Sequence, residues 1–416
     1  MSATIVEKIF SSKCGKPVTA GDVVMAPIDR AMIHDITGPL AIEKFREMGG
    51  TTVFDRDRII VLMDHQVPAD SIAAAQNHVT LRTFAEEQGI FNRDLFAGVC
   101  HQVVMEEGLA TPGEIVVGAD SHTCTYGATG AFATGIGSTD MGFAMKFGTL
   151  YFRIPDSIQL EVTGQFQPRV GAKDLILSIV GDIGADGATY RALEFTGNTI
   201  DELDMAGRMT CCNMAVEMGA KVGIIPPDRV TWDYLKGKRP VEPIELRSDD
   251  DATFVEYRSY SVGMLNPQVA VPHSIDEVVD VSEVAGTPIN QVFIGSCTNG
   301  RFEDFRDAAE VLKQDIFDRR VRVIVVPASR KEYLKTLKTG IIERFIDAGA
   351  LVEAPCCGPC MGGAFGLLAP GEVSLSTSNR NFRGRQGSTD ASVYICSPAT
   401  AAASAIYGHI TDPREV

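Results

Sequence analysis

Positive charge is scarce in this sequence. Lysine and arginine number 38 against 54 aspartates and glutamates, a formal net charge of −16. Nucleic acid is thereby excluded as the main partner, because neutralising phosphates takes a basic surface, and so is an anionic membrane. An anionic substrate is not excluded, since a local arginine cluster can sit inside an acidic protein. Long apolar runs are missing as well: Ile59–Met63 and Val321–Val326 are far too short to cross a bilayer. Met1 to Phe10 alternates apolar and charged residues and holds nothing that resembles a signal peptide. A cytoplasmic chain is the expectation. Thiols stay reduced there, so the ten cysteines read as buried, catalytic or metal-binding rather than as disulfides. Heptads, low-complexity tracts and short internal repeats are absent too.

What is present is globular. A chain of 416 residues is too long for one ordinary core and divides into two or three domains. Short apolar runs alternate with amphipathic, helix-like segments, the pattern of an α/β fold. The strand candidates are Ile59–Met63, Glu114–Val117, Gln291–Ile294, Val321–Val326, Leu351–Glu353, Val373–Ser376 and Ser392–Ile395. Helix candidates are Pro39–Met48, Asp70–Gln88, Ser138–Phe147, Leu203–Met218, Phe302–Leu312, Arg330–Thr339 and Ala399–Tyr407, with Ser138-Thr139-Asp140 as an N-cap. Surface connections at Pro155-Asp156-Ser157 and Ser248–Asp251 suggest boundaries near 155 and 285, giving domains 1–155, 156–285 and 286–416.

One regularity outweighs any single element. Asp64-His65 follows the run Ile59–Met63, Asp120-Ser121-His122 follows Glu114–Val117, and Ser296-Cys297-Thr298 follows Gln291–Ile294. Cys356-Cys357-Gly358-Pro359-Cys360 and Asn379-Arg380 repeat the arrangement after Leu351–Glu353 and Val373–Ser376. Ligands bind outside the carboxyl ends of strands in open α/β sheets. Polar, reactive residues recurring there point to one shared site.

Cys357 and Cys360 flank Gly358-Pro359, with Gly362-Gly363 just beyond. Such a loop lets two thiolates converge on a metal. Structural zinc usually takes four ligands, often from a second Cys-x-x-Cys, and no second pair exists here. A thioredoxin-like redox pair belongs near a chain-initial βαβ unit. Cys297, in a polar turn, is the natural third thiolate, and three ligands suit an iron–sulfur cluster with one open iron. Cys356 is its rival to Cys357, while Cys14, Cys100, Cys124, Cys211, Cys212 and Cys396 read as core or loop thiols. Gly135-Ile136-Gly137 lacks the third glycine of a dinucleotide loop, with Asp140 in its place, and a nicotinamide enzyme is rejected.

Gly118-Ala119-Asp120-Ser121-His122-Thr123, Gly295-Ser296-Cys297-Thr298-Asn299-Gly300, Cys357-Gly358-Pro359-Cys360 and Ser378-Asn379-Arg380-Asn381-Phe382 occur in the order found in the aconitase superfamily. The chain resembles the large subunits of that superfamily's two-subunit branch over essentially its whole length. The resemblance implies three similar α/β domains with parallel or mixed sheets around a central cluster. It implies one 4Fe–4S cluster on Cys297, Cys357 and Cys360, with an open iron that binds substrate. It implies acid–base groups at Asp64-His65, at Asp120 with His101, and at His122 with Glu217. Ser121, Asn379, Arg380 and Arg385 match the substrate-binding positions, where guanidinium gives the bidentate carboxylate grip that lysine cannot. Arg383 is left as a surface charge.

The implied reaction is reversible dehydration of a small hydroxy-di- or tricarboxylic acid. Isopropylmalate, an intermediate of leucine biosynthesis, is the expected substrate and homocitrate the alternative. Single-chain members place a substrate-contacting glutamine where Asp35-Ile36-Thr37-Gly38-Pro39 puts Pro39, which points away from citrate. They also continue into a fourth, swivelling domain. Since this sequence ends at Val416, that domain is expected on a separate small subunit. Two rival classes stand beside this one: a non-catalytic zinc protein and an electron-transfer iron–sulfur protein, the latter wanting every iron ligated.

Overall fold

The computed structural model describes the chain except for residues 1, 92 and 96 and the side chains of 93–95. Its framework is three sheets, each built on a parallel core of one design. In the first, five strands run in the order Arg93–Leu95, Ile59–Met63, Arg30–His34, Ile115–Gly118, Phe132–Gly135, all parallel. The second orders Val222–Ile224, Ala192–Thr196, Ser157–Thr163 and Glu256–Ser261, again all parallel. The third places Leu351–Val352, Arg322–Val326, Gln291–Gly295, Val373–Ser376 and Ser392–Cys396 side by side in parallel. Numbered by chain order within each sheet, the parallel strands read 3-2-1-4, extended by a fifth in the first and third sheets. The chain builds outward from its first strand, then returns to the other side, which opens a crevice between strands 1 and 4.

Helices cover these sheets, so a central strand is buried on both faces and reads as a continuous apolar run. All five residues of Ile59–Met63 are buried, each large side chain worth about 1.5–3 kcal/mol relative to exposure. The helix Phe302–Leu312 buries Phe305, Ala308, Ala309 and Leu312, the spacing of one helical face. Pro398–Tyr407 is alanine-rich and almost wholly buried; Ser397 caps its start and Gly408, left-handed, ends it.

Several expected elements shift. Ser138 is not a cap: Gly137 holds the N-cap position with extended backbone, and Ser138 is already helical. The long helix expected over Leu203–Met218 is a helix Met205–Asn213 followed by a tighter 3₁₀ turn, Met214–Met218. Ser157 is no connection but the first residue of a strand. Gln268–Ala270 and Val278–Asp280 precede residue 285 yet join the third sheet, antiparallel, through Val269–Cys396 and Ala270–Ile395. That sheet therefore begins earlier in the chain than the expected boundary.

The sheets meet tightly. Gly98 bridges to Ser329, and a Cβ on it would stand 2.3 Å from the Ala328 carbonyl oxygen. Only glycine allows that approach.

Candidate active site at the junction of the three sheets

The crevices of the first and third sheets supply most of the site. Strands 1 and 4 of the first sheet end at His34 and just before Asp120-Ser121-His122, and strand 2 leads into Asp64-His65. In the third sheet the corresponding strands lead into Cys297, into Asn379-Arg380 and, after its third strand, into Cys357–Cys360. The second unit contributes Asn213 and Glu217 from its helix and 3₁₀ turn. Backbone contacts lock the pieces together. Asp35 accepts the amide hydrogens of Asp64, His65 and Gln66 at 3.0, 3.0 and 2.8 Å, and the Cys357 amide bonds the Asp64 carbonyl at 2.9 Å. Gly135 serves packing: a Cβ there would lie 2.5 Å from the Asp120 carbonyl oxygen.

A cavity of about 220 Å³ results, lined by His65, His101, Asp120, Ser121, His122, Cys297, Cys357, Cys360, Asn379, Arg380 and Arg385 among the residues expected from sequence. Asp64 and Glu217 stand behind it, bonded to His65 and His122. All thirteen residues are thus brought to one place. A larger cleft, about 360 Å³, opens elsewhere between the second and third units; it holds none of them.

The imidazoles form a network on ionised carboxylates. His65 Nδ1 meets Asp64 at 2.8 Å, His101 Nε2 meets Asp120 at 2.8 Å, and His122 Nε2 meets Glu217 at 2.9 Å. Burial disfavours the His65 cation, but Asp64, Asp120 and Asp35 outweigh it and raise its pKa to about 10. His65 is therefore protonated at neutral pH. Burial penalises the Asp120 carboxylate as well, yet His101, His122 and His34 around it hold it well below its ordinary value. Burial pushes the His101 imidazole down. The neutral ring then gives its Nε2 hydrogen to Asp120 and accepts from the Tyr126 hydroxyl at 3.3 Å.

The sulfur atoms face nitrogen donors. Asn213 Nδ2 lies 3.2 Å and Asn379 Nδ2 3.5 Å from Cys297 Sγ, and Arg385 Nη2 lies 3.9 Å from Cys360 Sγ. A hydrogen bond from the Cys357 thiol, with Arg385 assisting, holds Cys360 well below the usual thiol range despite its burial. Burial pushes Cys297 up to about 12; losing that proton is what metal binding drives. Three buried sulfurs in one cavity, met by donors suited to thiolates, fit a metal cluster. Cys356 is buried too but does not line the cavity. Ser296, just before Cys297, has φ 71°, a costly conformation for a non-glycine residue, held by its hydroxyl accepting the Thr298 amide at 3.1 Å.

Also in the cavity lining, Arg380 directs its Nε at both Glu217 oxygens, at 2.9 and 3.1 Å. Arg385 lines the cavity as well; its Nε is buried without a hydrogen-bond partner among the described residues. Arg383 is exposed and outside the cavity. Ser121 is not a cap, since Asp120 caps that turn by accepting the His122 amide.

Sequence reasoning missed four contributors, His34, Ile36, Thr37 and Asn213. His34 stacks on His65, ring centroids 4.1 Å apart; its signal was the His34-Asp35 pair, which mirrors Asp64-His65 after an unrecognised strand. Thr37 and Ile36 join His34 in the lining, whereas Pro39 starts the helix Gly38–Glu47 and stays outside. The segment thus meets the site through Ile36 and Thr37, beside His34, and not through Pro39. Asn213 uses its whole amide. Its nitrogen serves Cys297 and Thr125, and its oxygen accepts from Thr298 and Asn379. Only its nearness to Glu217 in sequence could have suggested it.

Three thiols, imidazoles held by carboxylates and two cavity-lining arginines give the arrangement groups able to hold a metal and to meet an anion. The family described as the aconitase family (aconitate hydratase) matches residues 7–289 and 283–408, and the chain belongs to it. The protein named 3-isopropylmalate dehydratase large subunit in Methanoregula boonei is 71% identical over 416 residues, covering all of both chains. A similarly named large subunit 1 from Archaeoglobus fulgidus is 58% identical over 419 residues, again covering both fully. A probable methanogen homoaconitase large subunit from Methanothermobacter thermautotrophicus is 51% identical over 419 residues, covering 99% of this chain and 97% of its own.

Proposed function

We propose that this chain is the cluster-bearing large subunit of a 3-isopropylmalate dehydratase, interconverting 2- and 3-isopropylmalate in leucine biosynthesis. The observation that carries the reading is one cavity lined by three cysteines, by three imidazoles each held by a carboxylate, and by Arg380 and Arg385. Membership of the aconitase family implies a 4Fe–4S cluster, which displaces the zinc and electron-carrier readings. Cys297, Cys357 and Cys360 are its proposed ligands. When bound, the cluster supplies an open iron that acts as a Lewis acid toward a hydroxyl and its neighbouring carboxylate.

The chain's own residues do the rest. His65, held protonated and oriented by Asp64, gives a proton to the departing hydroxyl. Asp120 fixes His101 and abuts His122, and Glu217 orients both His122 and Arg380. Ser121, Asn379, Arg380 and Arg385 bind and orient the substrate's carboxylates. The carboxylates beside the cavity are all engaged by imidazole or guanidinium groups, so we assign removal of the carbon-bound proton to a partner. The relatives named as large subunits imply a small subunit, and we propose that it brings the fourth, swivelling domain and that base. The three sheets are proposed as three domains around the site.

No helix among the described residues is long and apolar enough to cross a membrane, and we propose a cytoplasmic location. Homoaconitase is the second reading, supported by a relative at 51% identity against 71% and 58% for the dehydratase relatives. The test is turnover by the reconstituted two-subunit complex on 3-isopropylmalate, homocitrate and citrate. Preference for 3-isopropylmalate supports the proposal, and preference for homocitrate overturns its substrate.

A further inference from the structure

Lys173 is a buried ammonium in an unfavourable place. It sits in the first turn of the helix Ala172–Ile183, where the helix dipole disfavours a cation, and only 2% of it is exposed. Its three donors all go to neutral acceptors: Asn299 Oδ1 at 3.0 Å and the carbonyl oxygens of Thr377 and Ser378, each at 2.7 Å. Burying a cation is costly, and hydrogen bonds to its protons only partly repay that cost.

What those bonds join is informative. Asn299 lies two residues beyond Cys297, and Thr377-Ser378 immediately precede Asn379-Arg380. The helix bearing Lys173 belongs to the second unit, while both turns belong to the third. Lys173 is absent from the cavity lining and faces the separate 360 Å³ cleft. It reaches the site only through the backbone and side chain of the turns it holds.

We infer that Lys173 is a positioning residue, clamping the Thr377–Arg380 turn to the Cys297 turn so that Asn379 and Arg380 face the cysteines. The inference rests on the reading that Asn379 and Arg380 bind substrate. It is tested with Lys173→Met, which keeps the volume and removes the donors, and with Lys173→Gln, which keeps some of them. In the complex with its small subunit, backbone hydrogen exchange over 376–382 should quicken about tenfold or more in Lys173→Met. Exchange in Arg322–Val326 and Pro398–Tyr407 should stay unchanged, and Lys173→Gln should fall between. With 3-isopropylmalate, KM should rise about tenfold with a smaller change in kcat, as expected when a substrate-orienting contact is loosened. Local exchange unchanged at 376–382 would overturn the clamp. So would a uniform rise along the chain, or failure of both variants to fold, since either makes Lys173 a general stabiliser. A wild-type complex inert toward 3-isopropylmalate would count against the proposed function instead, and the exchange result would still decide the clamp.

Discussion

Cys356 and Cys357 are neighbours in sequence and part ways in space. Both are buried, yet only Cys357 lines the cavity with Cys297 and Cys360. Serine is a poor ligand for iron in such a setting, so Cys297→Ser, Cys357→Ser and Cys360→Ser should each yield a colourless protein after anaerobic reconstitution. Cys356→Ser should keep its visible absorbance. Bleaching by the Cys356 change alone would reverse the assignment. At Arg380 a planar group is needed if, as proposed, the donors other than Nε reach substrate, because Nε already binds both oxygens of Glu217. Arg380→Lys retains charge without that fork. Losing a charge-assisted bond of about 1.5–3 kcal/mol should lower kcat/KM roughly ten- to a hundredfold. Unchanged steady-state kinetics would return Arg380 to a structural role.

At the scale of elements, legibility followed burial. Ile59–Met63 and Gln291–Gly295 are wholly buried and stand out as apolar runs, so the reactive residues at their ends could be read directly. Glu256–Ser261 exposes every second residue, and Val222–Ile224 is three residues long; neither makes an apolar run, and the second sheet went unseen. Arg30–His34 begins with a charge and ends with an imidazole, which hid the central strand of the first sheet and with it His34. The strand Ala192–Thr196 carries a second consequence of burial. Glu194 accepts the Ser248 hydroxyl at 2.6 Å, but desolvation raises its pKa to about 7 from an ordinary 4.5. A carboxyl group raised on folding favours the folded state below its unfolded pKa and loses that contribution as pH climbs through the folded one. The window is therefore about pH 4.5 to 7. Glu194→Gln should be more stable than wild type at pH 8, by about 3 kcal/mol, with the gap closing by pH 4.5. A constant difference across that range would mean Glu194 does not titrate there.

At the scale of the whole molecule, one strand order is used three times, although no repeat is visible in the sequence. Repetition lies in the path of the chain, which loops of unequal length disguise. Its consequence is positional: crevices of the first and third sheets contribute to one cavity, and the second unit supplies Asn213 and Glu217. A site assembled from three units is pre-organised by their packing, and electrostatic effects within it strengthen when water is excluded. In the proposed function the small-subunit partner closes it and brings the base. The most direct test is an anaerobic titration of the cluster-loaded chain with its small subunit, following turnover of 3-isopropylmalate. Little or no turnover by the chain alone is expected, with activity saturating at about one small chain per large chain, as a base supplied by the partner requires. Full turnover without the partner would contradict the account and place the base among the residues described here as structural.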